Sequence, residues 1–237
     1  MLTRKTFLAG VVLVLTVMNL GGRAADRDDR PFTSTFSVNE ADLSPDGRNP
    51  YFILEPGYQL YYEGRDDEKA VTLTITVLDE TKKVGDVVTR IVEERETSGG
   101  EVIEVSRNYF AVCKRTNNVY YFGEDVDIYK NGKVVSHEGA WLSGRDGAKF
   151  GLAMPGSPLL GARFQQEVAP KTAMDRCEIL SLSEKMETPA GTFENCLKIE
   201  ESTPLEPGTK ESKYYTSGVG LLKDGPVKLV RFGTVKK

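Results

Sequence analysis

The chain has 237 residues, with 31 Lys and Arg against 35 Asp and Glu, one His, three Cys and a formal net charge of −4. Its basic residues are scattered, whereas nucleic acids and anionic membranes are gripped by clustered cations, so neither is an expected partner. One His and three widely separated Cys also fall short of a zinc ligand set, and no C-x-x-C redox pair occurs.

Arg4 and Lys5 form a short basic head, Phe7 to Leu20 is uncharged and rich in Val and Leu, and Gly22-Arg23-Ala24 offers small residues for cleavage after Ala24. That order describes a secretory signal peptide over residues 1–24. The alternative is an uncleaved membrane anchor. Spanning a bilayer takes about 20 apolar residues, and this run has 14. The first Cys is Cys113, so no lipid-attachment site follows the cut. The expected product is exported, periplasmic or secreted, and soluble, with no integral membrane segment after cleavage. Removing residues 1–24 leaves 28 basic against 35 acidic residues, a net charge of −7.

Residues 25–48 are polar and broken by Pro31, Pro45 and Gly47, with Phe32 and Phe36 as large apolar anchors. They read as a loosely held N-terminal arm. Residues 49–237 carry no repeat, linker or composition shift and read as a single β domain. In Val71-Thr72-Leu73-Thr74-Ile75-Thr76-Val77, apolar and threonine residues alternate strictly. A strand sends successive side chains to opposite faces, so the four apolar residues share one buried face. Val87–Glu96 and Glu101–Val112 flank a Gly-Gly turn, and Asp127–Tyr129 and Lys133–Ser136 flank Asn131-Gly132, a strong hairpin signal. Further strands are expected at Val119–Phe122, Arg163–Val168, Cys177–Met186, Phe193–Ser202, Ser212–Thr216, Gly220–Lys223 and Val227–Phe232. Within Met174–Met186 a helical turn is the alternative.

The predicted fold class is all-β, an antiparallel meander of about ten strands forming an open or flattened barrel. Its predicted core includes Val71, Leu73, Ile75, Val77, Ile91, Leu197, Ile199, Leu222 and Leu229. Gly139–Gly161, rich in glycine and apolar at Gly151–Pro155, reads as a long irregular passage tucked against the sheet or forming a lid.

Three segments carry a resemblance: Asn49-Pro50-Tyr51-Phe52 with Glu55-Pro56-Gly57 and Tyr62-Glu63-Gly64; Thr188-Pro189-Ala190-Gly191-Thr192-Phe193; and Lys213-Tyr214-Tyr215 with Gly218-Val219-Gly220-Leu221. Together with Val119–Asp127 they resemble a family of exported bacterial proteins of unknown function. Envelope domains of this look are curled, partly open β-barrels, some similar to periplasmic lipoprotein carriers. The resemblance implies a concave apolar surface and supplies no catalytic residue.

Candidate chemistry is sparse. His137 sits at a strand end without a G-x-S-x-G or S-x-x-K motif, so a surface histidine is the simpler reading. Glu124, Asp125 and Asp127 are close in sequence, but Tyr129 and Lys130 stand where a calcium loop needs a ligand and a glycine. No metal or cofactor is expected. Export favours oxidation, and Cys113 with Cys196 is the expected disulfide if one forms; three buried free thiols are the alternative. Adjacent aromatic residues such as Tyr120-Tyr121 must face opposite ways, so one ring of each pair lines whichever surface is not the main core. Tyr62, Tyr121, Trp141, Leu152, Met154 and Tyr215 are the candidate ligand-binding residues. The expected function is a non-catalytic exported binding protein holding a lipid or other apolar or amphiphilic small molecule. An envelope interaction or scaffolding module ranks second. An enzyme using Glu124 and Asp125 ranks third.

Overall fold

The computed structural model describes residues 30–235. The signal peptide read at residues 1–24 and the start of the arm lie outside the described residues.

Eighteen strands are assigned among the described residues. Three short ones come first: β1 (Leu43–Ser44), β2 (Gly47–Asn49) and β3 (Phe52–Leu54). Long strands follow as β4 (Tyr58–Asp66), β5 (Lys69–Val84), β6 (Val87–Ser98), β7 (Glu101–Cys113) and β8 (Val119–Lys130). Then come β9 (Lys133–Ser136), β10 (Trp141–Leu142), β11 (Lys149–Met154), β12 (Arg163–Gln165) and β13 (Glu167–Val168). The remainder is β14 (Arg176–Thr188), β15 (Gly191–Ser202), β16 (Lys210–Thr216), β17 (Gly220–Asp224) and β18 (Val227–Thr234).

The main path runs β12-β14-β15-β16-β17-β18-β4-β5-β6-β7-β8-β11-β13, with every neighbour antiparallel. It curls into a mostly closed barrel of 13 strands with one unsealed seam. The seam is built by a single stretch. Arg163–Gln165 pairs with β14 at one end of the sheet, and Glu167–Val168 pairs with β11 at the other. Between the halves, the Gln166 N–H leaves both ladders and donates to the Asp175 carbonyl at 2.7 Å.

The alternating segment behaves as its pattern requires: Val71, Leu73 and Val77 are buried and their threonine neighbours are partly exposed. Ile75 alone of the nine predicted core residues is only half-buried; with Val77 it lines a cavity. The meander departs from the expected strands in two places. Val119–Phe122 and Asp127–Tyr129 are one strand, β8, kept continuous through Gly123. There φ is +137°, and an added Cβ would lie 2.4 Å from the Trp141 carbonyl oxygen. Lys149–Met154, inside the passage read as irregular, is barrel strand β11, paired with β8 as Gly151↔Tyr121 and Leu152↔Tyr120. The passage is tucked into the wall and forms no lid. Met174–Met186 contributes strand β14, without a helical turn.

A different element closes over the interior. β2 and β3 pair only with each other, as a separate hairpin. Its Leu54 and Asn49 are almost fully buried. The Asn49 amide donates to the carbonyls of Asn117 (2.7 Å) and Pro155 (3.0 Å) and accepts from the Tyr51 N–H (2.8 Å). Arg90, itself buried, pairs with Asp46 just before the hairpin. The boundary expected between arm and domain at residues 48/49 therefore falls inside this cap. The preceding arm is fastened too: Thr33 exchanges backbone hydrogen bonds with Arg163 and Gln165 along β12, and Phe32 lies under the guanidinium groups of Arg163 and Arg176.

No helix of the described residues is long and apolar enough to cross a membrane.

Candidate functional site: an acid-lined barrel interior

Strand alternation places apolar residues inside one part of the barrel: Val71, Leu73, Leu197, Ile199, Leu222 and Leu229 are all essentially inaccessible. The same alternation then carries charge inward. On β6, Glu94 and Glu96 follow Val92 on one face; on β15, Glu201 follows Ile199; on β16, Glu211 and Lys213 precede Tyr215. Because β15, β16 and β17 are neighbours, Lys213 Nζ lies 2.8 Å from Glu201 Oε2 and 3.3 Å from Asp224 Oδ2. Glu104, Glu124 and Glu167 are also buried.

Two cavities open within this interior. One, of about 50 Å³, lies under the cap between Tyr51, Phe52 and Ile53 and the apolar side chains of Leu60, Ile75 and Val92. The other, of about 70 Å³, is walled by Tyr121, Glu167, Asp175, Glu201 and Lys213. They share Phe52, Glu94 and Tyr215. Each has room for only a few water-sized groups.

Burial in a low dielectric disfavours the charged form of a carboxyl. It pushes Glu94 and Glu124 up to about 8, and Asp175 and Glu211 up to about 7. Glu96 and Glu167 also stand well above the usual carboxylate range, first through burial and then through neighbouring acids. Burial outweighs the pull of Lys213 on Asp224, whose carboxyl is raised to about 6. For Lys213 the balance is reversed: burial opposes its charge, but Asp224 and Glu201 hold its pKa well above the ordinary lysine value. Tyr121 donates its hydroxyl hydrogen bond to Asn108 Oδ1, and Asn108 in turn donates to Ser106 Oγ at 3.2 Å. The arrangement is rich in acceptors and holds one ammonium. It suits a group that donates hydrogen bonds.

No family model, curated protein or solved structure matches this chain. The fold by itself therefore assigns no activity.

Of the six predicted ligand-binding residues, Tyr121 and Tyr215 reach the cavities. Tyr62, Trp141, Leu152 and Met154 line neither, and all four are buried in the packed wall. Tyr62 instead donates to the Leu221 carbonyl at 2.9 Å, and Trp141 stands edge-on to Tyr121 with ring centroids 5.3 Å apart. The opposite-facing pair is observed as expected: Tyr121 stacks inward on Phe110, and Tyr120 packs against Phe36 and Phe150.

The expected pairing of Cys113 with Cys196 is not made. All three cysteines are buried free thiols, since Cys113 ends β7 and Cys196 sits on β15, strands far apart in the sheet order. Glu124 and Asp125 lie on opposite faces of β8: Glu124 is buried, and Asp125 is exposed and 3.1 Å from Lys82. Two carboxyls so placed cannot act on one substrate. His137 is exposed, with Nδ1 2.8 Å from the Val126 carbonyl and 2.9 Å from Asp127. Among the described residues no group of three or more His, Cys, Asp or Glu side chains is arranged to hold a metal ion.

The inward acids were missed by sequence reasoning, which sends charged side chains to solvent. A signal was present, because Glu94 and Glu96 continue the parity of Val92.

Proposed function

We propose that this chain is a non-catalytic exported binding protein of the cell envelope, taking a small amphiphilic molecule into the barrel interior. The observation that carries this reading is the adjoining of an apolar and an acid-lined cavity across Phe52, Glu94 and Tyr215. An apolar chain fits beneath the cap, with its polar end among the carboxyls. The cavity volumes favour a short molecule over a whole lipid acyl chain. Export rests on the basic head, apolar run and small-residue exit of residues 1–24, together with the resemblance to exported bacterial proteins carried by the segments quoted above.

Native mass spectrometry of protein purified from the periplasm is expected to reveal a co-purified small molecule. Fluorescence of Trp141, the sole tryptophan, is expected to change when that molecule is returned to stripped protein, because its ring contacts Tyr121 on the cavity wall. A bare mass with no fluorescence response to short amphiphiles refutes the reading.

One observation favours interaction with another protein as a second reading. Leu159 and Leu160 are 70% and 68% exposed beside β14, whose Leu180 and Leu182 are also exposed. Large apolar side chains clustered at the surface mark contact sites more often than isolated ones do. Cross-linking in intact cells from this face tests it, and a Leu159/Leu160 face that captures no partner dismisses it.

A further inference from the structure

Four buried side-chain oxygens lack a hydrogen-bond partner. Glu96 is 3% exposed, lies on the inward face of β6 with Glu94, and has no hydrogen-bond partner for Oε2. Asp224 Oδ1 and Glu211 Oε2 are likewise unpartnered, and so is Gln166 Oε1 on the wall of the polar cavity. All are acceptors once the acids are ionised, a state that burial opposes in the interior and that a bound cation restores by displacing a proton. Of these four, Gln166 alone lines a cavity; Glu96, Asp224 and Glu211 line neither, nor do Trp141 and Arg90, whose Nε1 and Nε are orphan donors.

We infer that the head group of the bound amphiphile is an organic cation with several N–H donors, an amine or amidine, held between Glu94 and the carboxyls of Glu167, Asp175 and Glu201 on the wall of the polar cavity. This rests on the binding reading above and names the ligand's chemical class. An anionic head would meet a wall whose one ammonium, Lys213, is already engaged by Glu201 and Asp224. A neutral alcohol brings one donor to several acceptors. A protonated amine brings three, and its charge is compensated where burial would otherwise forbid it. The apolar cavity adjoining at Phe52 and Tyr215 takes the carbon chain.

Hexylamine, hexan-1-ol and hexanoate, matched in chain and differing in head, separate the possibilities when titrated calorimetrically against the purified protein at pH 7. Hexylamine is expected to bind about tenfold or more tighter than the alcohol, as a charge-assisted hydrogen bond implies, and hexanoate not at all. A Glu94→Gln variant with unchanged sheet circular dichroism is expected to weaken hexylamine binding by about tenfold. Equal binding of alcohol and amine, tighter binding of hexanoate, or a folded Glu94→Gln protein with wild-type amine affinity overturns the inference and leaves the binding reading standing. Failure of all three probes to bind overturns both.

Discussion

Lys213 is the cation on the wall of the polar cavity, 2% exposed and in contact with carboxylates from the strands on either side. Burying such a group is costly, and the cost is offset only while its partners remain. Replacing it with methionine keeps the volume and removes the charge, leaving Glu201 and Asp224 facing each other in a low dielectric. Lys213→Met is expected to lower stability by about 3–5 kcal/mol at pH 8. The loss should shrink at pH 5, because Asp224, already raised to about 6 by burial, can then be neutralised by a proton. Urea denaturation at the two pH values measures both effects. A loss independent of pH would show that packing, not charge, is what Lys213 supplies.

Among the elements, the seam is the most exacting. At Gly151 on β11 an added Cβ would lie 2.2 Å from the Gln166 carbonyl oxygen, so the strand and the closing stretch approach more closely than any side chain permits. Gly151→Ala is expected to cost about 1–3 kcal/mol by forcing the backbones apart. Hydrogen exchange should quicken first at Arg163–Val168, with β5 and β6 still protected. Uniform exchange across the sheet would deny the seam its special position. The same glycine explains part of what the sequence concealed. Glycine inside a strand pattern signals close backbone approach as well as a break, and Lys149–Met154 was read as irregular because the break is the commoner meaning. Hairpins marked by Gly99-Gly100 and Asn131-Gly132 were legible, because positive φ at those turns requires such residues. The Val71–Val77 face was legible for the opposite reason, since nothing but a pleated strand sorts valines from threonines. The inward carboxyls were not. One strand's alternation tells which residues share a face, whereas the chemistry of an enclosed space depends on which other strands face it across the barrel. The cap was hidden likewise: nothing local in Gly47–Leu54 tells that its aromatic residues close a cavity built by distant strands.

For the whole molecule, the acids set an unusual pH response. Glu94 and Glu124 are raised to about 8, and Asp175 and Glu211 to about 7, chiefly by burial. In the unfolded chain these groups ionise near pH 4. Folded protein therefore binds more protons than unfolded protein between these limits, so stability is fully present below the unfolded values and declines as pH rises through 7 to 8. The urea midpoint is expected to fall between pH 5 and pH 8, by an amount on the order of a few kcal/mol in stability. A midpoint that is flat or rises over that interval would contradict the assignment of neutral carboxyls to the interior.

The wall also joins regions remote in sequence, with Tyr58 on β4 laddered to Thr234 on β18. While synthesis is under way, β4 has no mate on that side, and its bare amides and carbonyls offer a template to any extended polypeptide nearby. Newly made chains thus pass through an interval as an uncurled ribbon, vulnerable to pairing with one another until the carboxy-terminal hairpin arrives. Omitting Val227–Thr234 would prolong that interval indefinitely, and the truncated product should sediment as aggregates instead of accumulating as monomer.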